Sequence, residues 1–128
     1  VTSDDALAFD RHLDATAPAV ADVARALRLA VLAGFPDADE TFDAADGLLA
    51  FGTGRSMRAF LFAIIPHRSW VNLQLADGVD LPNGDGRIEG TGKRVRHVKV
   101  RSVEDAGAPW LRTVIAAQVA HRAGASPA

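Results

Sequence analysis

The stretch AFLFAIIPHRSWVNLQL, residues 59–75, decides the fold. Met57 to Ile65 reads as a strand in which Phe60, Phe62 and Ile64 point one way and Ala59, Leu61, Ala63 and Ile65 the other. Apolar residues on both faces predict a central strand, covered at least in part on both sides. Pro66 to Ser69 breaks the run as a turn. Trp70 to Leu75 then alternates, with Val71, Leu73 and Leu75 on one face and Trp70, Asn72 and Gln74 on the other. Strands joined by so short a turn are antiparallel neighbours.

Working outward, Leu48 to Phe51 and Glu40 to Asp43 are shorter strands around a turn at Ala44 to Gly47, and GTGR, Gly52 to Arg55, is a hairpin loop. Further upstream the period changes. Ser3 can cap a helix from Asp4 to about Asp14, and Pro18 opens a second. There Val20, Val23, Ala24, Leu27 and Val31 keep helical spacing until Gly34 and Pro36 stop it. Downstream, Ala76 to Gly92 is a glycine-rich loop with a helical turn expected near Arg87 and Ile88. Arg96 to Arg101 is a fifth strand, and Ser102 with Asp105 has the spacing of a helix cap. Pro109 opens a last helix with Leu111, Val114, Ile115 and Val119 on one face and Gly124 past its end, leaving ASPA as a frayed tail. The expected fold is α+β: two N-terminal helices, a mostly antiparallel sheet of about five strands and a C-terminal helix, forming a two-layer sandwich and a single domain over residues 1–128.

Composition narrows the function. With no cysteine there is no disulfide, thiolate metal site or thiol nucleophile. The opening VTSDDALAFD lacks the basic and apolar regions of a signal peptide, and the longest apolar runs are too short to cross a bilayer, so a soluble, cytoplasmic protein without a membrane partner is expected. A net charge of −2 does not attract nucleic acid. The charge is uneven: residues 1–50 carry ten acids against three bases, and residues 51–128 six acids against eleven bases.

Both lysines, Lys93 and Lys99, fall in EGTGKRVRHVKVRS, residues 89–102. A phosphate-loop reading fails, because Arg87 and Arg94 stand where that motif needs glycine and Ser or Thr, and a strand follows instead of a helix. GDGRIEG, Gly84 to Gly90, misses the dinucleotide fingerprint by one residue. His12, His67, His97 and His121 form no zinc pair, and no nucleophile elbow is present. No enzyme signature emerges, and His97 is the side chain best suited to proton transfer.

The run IEGTGKRVRHVKVRSVED, together with SMRAFLFAIIPHRSWVNLQLADGVDLPN and PDADET at Pro36 to Thr41, resembles the YdhG-like family of domains of unknown function over about residues 18–122. The resemblance implies a small α+β domain and no established reaction. Some members are similar to frataxin in fold and are linked to iron delivery, which makes iron the one cofactor the resemblance suggests.

Two surfaces are candidates. If Val98 and Val100 face the helices, His97, Lys99 and Arg101 face away, as do Trp70, Asn72 and Gln74. Trp70, Asn72, Lys93, Arg96, His97 and Lys99 then form a candidate ligand surface for an anionic small molecule or an acidic protein segment. The plainer alternative is a basic strand face that keeps the sheet soluble, with Trp70 packed on Phe60 or Phe62. The second candidate is Asp37, Asp39, Glu40 and Asp43, where the second helix meets the first strand. Clustered carboxylates hold hard cations or ferrous iron weakly, as a frataxin-like protein would; their plainer role is solubility.

Overall fold

The alternation around residues 59–75 builds the sheet of the computed structural model, which describes residues 3–54 and 59–124. Five strands, β1 (Asp39–Asp43), β2 (Leu48–Gly52), β3 (Phe60–Pro66), β4 (Val71–Leu75) and β5 (Arg96–Val100), form an antiparallel meander in chain order. Leu49 and Phe51, Phe62 and Ile64, Val71, Leu73 and Leu75, and Val98 and Val100 line up across the strands on one face. All of them are fully buried. The helices α1 (Asp4–Leu13), α2 (Pro18–Gly34) and α4 (Pro109–Gly124) supply the other half of this core, with Phe9 and Leu13, Leu27 and Val31, and Leu111 and Ile115. The α+β two-layer architecture is the expected one. No described helix is long and apolar enough to cross a membrane.

Helix ends follow the anticipated chemistry. Ser3 Oγ accepts from the Ala6 N–H at 3.0 Å, and Ser102 Oγ accepts from the Asp105 N–H at 3.1 Å to start the single turn α3 (Val103–Ala106). The Asp105 carboxylate does not reach back to Ser102; it takes the N–H of Arg101 at 3.1 Å.

Three expectations need correction. The second face of β3 is not covered by helices. Ala63 is buried there because it is small and lies between Ala50 and Gln74 on neighbouring strands. The strict alternation of β3 also breaks: a register shift beside Phe51 and Gly52 sets Gly52 opposite Phe60, so Leu61 turns into the core while Phe60 lines the open face. The loop between β4 and β5 carries its helical turn at Gly78–Asp80, not near Arg87. Around Ile88, the Asn83 side chain clamps the backbone instead, accepting from Ile88 N and donating to Ile88 O, both at 2.9 Å. The Met57–Arg58 start of the third strand, Arg55 and Ser56 of the hairpin loop and the tail Ala125 to Ala128 lie outside the described residues.

The loop after β4 is tied to α4 through a buried aspartate. Asp77, 5% exposed, receives Arg94 Nη2 at 2.8 Å, Gln118 Nε2 at 2.8 Å and both Nε and Nη2 of Arg122 at 3.1 and 2.9 Å. Its own N–H donates to Gln118 Oε1 at 2.8 Å, so the fully buried Gln118 is satisfied at both ends. Burial pushes the Asp77 carboxyl up, but the bonds from Arg94, Gln118 and Arg122 and the charge of Arg122 outweigh it and hold the pKa at about 2.

Candidate functional site

The face of the sheet away from the helices is built from the other half of the alternation. Register sets Asn72 opposite Lys99, Gln74 opposite His97, and Ala63 and Ile65 beside them on β3. Trp70 sits just before β4, in a turn closed by the His67 N–H donating to the Trp70 carbonyl at 2.8 Å. Of the six residues anticipated for this surface, Trp70, Asn72, His97 and Lys99 come together.

The other two do not join them. Arg96 pairs in register with Leu75, on the helix side, and its Nη1 donates to the carbonyls of Gly92 and Val95. Lys93 is exposed in the loop before β5.

Trp70, Asn72 and Lys99 are held together with His67. The Trp70 Nε1–H donates to Asn72 Oδ1 at 2.8 Å. An indole N–H can only donate, so the amide oxygen must face it and the amide nitrogen must face His67. Asn72 Nδ2 lies 3.0 Å from His67 Nε2, which accordingly accepts, with the ring proton on Nδ1. The His67 ring also stacks on the indole, centroids 5.0 Å apart and 15° from parallel. The Lys99 ammonium stands over the indole at 5.1 Å. Trp70 therefore does not pack on Phe60 or Phe62; it supports a cation. With His67 and Lys99 both on its ring, it positions the site's charge and is not a free platform for stacking a ligand.

Glu89 was not anticipated here. An isolated antiparallel bridge attaches it to β5: Glu89 N donates to His97 O at 2.8 Å and His97 N to Glu89 O at 2.9 Å. Its Oε1 lies 3.7 Å from His97 Nε2 and 3.9 Å from Lys99 Nζ. Burial lowers the pKa of His97; Glu89 opposes that, and the charge of Lys99 adds to it. Near neutral pH the fixed positive charge that Glu89 approaches is thus that of Lys99. The one sequence signal for Glu89 is its place as the last acid before the basic run.

The acidic candidate is divided by the same alternation. Asp39 and Asp43 project from the open face of β1, whereas Glu40 pairs with Phe51 on the helix side. There Glu40 forms a bidentate ion pair with Arg28, Nε to Oε2 at 2.6 Å and Nη2 to Oε1 at 2.9 Å. Asp37 is exposed in the turn before β1. The four acids are therefore not one ligand set, and among the described residues no three His, Asp or Glu side chains come together as a metal-holding group. The open face does carry a groove of about 290 Å³ at the β1 side, where Asp39, Thr41, Asp43 and Asp46 rim a floor that includes Ala50 and Phe60. It extends to Gln74 and stops short of Trp70 and Lys99.

Comparison of the chain with protein-family models, with curated proteins and with solved structures found no match.

Proposed function

We propose that this chain is a cytoplasmic, non-enzymatic binding domain that takes an anionic small molecule or an acidic protein segment at the Trp70–Lys99 corner of its open sheet face. The observation that supports this most is the placement of Lys99. Its ammonium is held over Trp70, beside an asparagine whose orientation is already fixed. A side chain ordered before binding loses less entropy when it captures a ligand. The resemblance of about residues 18–122 to YdhG-like domains is consistent with this reading, since it implies a small α+β domain and no established reaction. Calorimetric titration with carboxylates, nucleotides and coenzyme A tests it. Saturable binding by the wild type, weakened at least about tenfold in Lys99→Ala, is expected. Equal binding by both proteins, or none by either, ends the proposal.

A second reading, a frataxin-like iron-binding chaperone, is favoured by one observation. Asp39 and Asp43 share the open face of β1 and, with Asp46, rim the groove, and among the described residues none of the three has a cationic partner. Anaerobic ferrous titration of the wild type against Asp39→Ala/Asp43→Ala decides it. Affinity unchanged by the double substitution rules it out.

A further inference from the structure

Glu89 stands where an anionic ligand of the Trp70–Lys99 corner would stand. Its carboxylate already approaches both His97 and Lys99, at 3.7 and 3.9 Å. Both distances lie beyond hydrogen-bond range, so charge alone holds it there. Its side chain is half-exposed, and ion pairs of this kind contribute little to stability. The contact therefore joins the right charges in a loose geometry.

Displacement needs only the side chain to rotate, because the backbone on either side of it is held. Glu89 reaches β5 through a single bridge to His97, and Gly90 follows with φ +130°, a conformation that favours glycine. A Cβ at Gly90 would stand 3.1 Å from Arg96 Cδ, so the loop turns away from β5 at the one residue that fits.

We infer that Glu89 is a built-in occupant of the Lys99–His97 pair, displaced by a ligand that carries a carboxylate; this rests on the binding reading above. The ligand class follows from charge. Of the groups that Glu89 approaches, Lys99 supplies the one fixed positive charge, and Glu89 balances it. A monoanionic carboxylate that replaces Glu89 keeps the pairing with Lys99 one to one, and it can hydrogen-bond the ammonium that Glu89 does not reach. A phosphate dianion brings a second negative charge, which Lys99 alone does not balance, beside a displaced glutamate. The lowered pKa of His97 leaves Lys99 as the charged partner of that carboxylate. In this arrangement Glu89 sets a threshold: weakly bound anions do not displace it, and a carboxylate placed by further contacts does.

The test uses Trp70 as its reporter, in a Trp110→Phe background so that one tryptophan remains. Benzoate and inorganic phosphate are titrated separately into this protein and into its Glu89→Gln and Lys99→Ala derivatives. Benzoate is expected to change the Trp70 fluorescence saturably, to bind on the order of tenfold more tightly to Glu89→Gln, and to lose binding in Lys99→Ala. Lys99-dependent benzoate binding that is no tighter in Glu89→Gln overturns the built-in occupant and leaves the binding face standing. Phosphate binding more tightly than benzoate overturns the carboxylate class. No saturable binding of either anion in any of the three proteins overturns this inference and the binding reading together. Glutamine keeps the shape and the backbone bridge of Glu89, so the folded state of that variant is not at issue.

Discussion

At Asp77 a single carboxylate accepts from three side chains while almost wholly buried. Its pKa falls from 3.8 to about 2 on folding, which corresponds to about 2 kcal/mol of stability at neutral pH. The folded value is the lower one. The contribution is therefore complete above about pH 4, where the unfolded carboxyl is also ionised, and it is lost as pH falls towards about 2. Asp77→Asn is expected to lose at least about 2 kcal/mol in urea unfolding at neutral pH and to flatten the acid limb of the stability profile. A steep acid limb that survives the substitution assigns it to other carboxylates. None of this was legible beforehand, because Asp77 and Gln118 lie 41 positions apart and nothing local marks them as partners. Trp70, Asn72, His97 and Lys99 were legible, because strand alternation assigns them a face without any knowledge of distant contacts. Glu89 was not: it joins β5 through a lone bridge from a loop, where no periodicity exists to read.

At the scale of the element, the β2–β3 pair shows where pattern reading reaches its end. Leu49 opposite Ile64 and Phe51 opposite Phe62 follow directly from alternation. The shift beside Gly52 does not, since it depends on how closely two backbones approach. A Cβ at Gly52 would stand 2.4 Å from the Ala59 carbonyl oxygen and 2.8 Å from Phe60 Cα. Only glycine fits there, and the close approach is what lets Phe60 turn to the open face. Gly52→Ala is expected to cost about 1–3 kcal/mol. Gly84→Ala, with nothing within 4 Å of its Cβ, is expected to stay within about 0.5 kcal/mol of the wild type. Chemical denaturation of the two variants side by side checks both; equal stabilities would mean that the strand ends relax to admit a side chain. Both long helices and the strands β2 to β5 were legible from the sequence, because each shows its period over most of its length, and β1 was legible only as a short candidate strand. The helical turn expected near Arg87 failed because Asn83 satisfies the Ile88 backbone without a helix.

Across the whole molecule, the charge imbalance between the two halves of the chain becomes a gradient across one sheet. Asp39 and Asp43 stand at the β1 edge of the open face, and His97 and Lys99 at the β5 edge. The meander that produces this gradient also governs how quickly the molecule assembles. Every strand pairs with its neighbour in the chain, yet the joins are unequal: residues 44–47 connect β1 to β2, whereas residues 76–95 separate β4 from β5. The entropy of closing a loop rises with its length, so pairing of β5 is the most expensive closure in the sheet. The rate-limiting barrier is accordingly expected to be crossed with β2, β3 and β4 paired against α2, with β5 arriving afterwards. In stopped-flow refolding, Ile64→Ala is expected to slow folding, with a φ-value well above one half. Val98→Ala is expected to leave the folding rate unchanged and to accelerate unfolding alone. A high φ-value at Val98 would place β5 in the nucleus. On this order of events, the strand that carries Lys99 is the last to arrive and the first to leave.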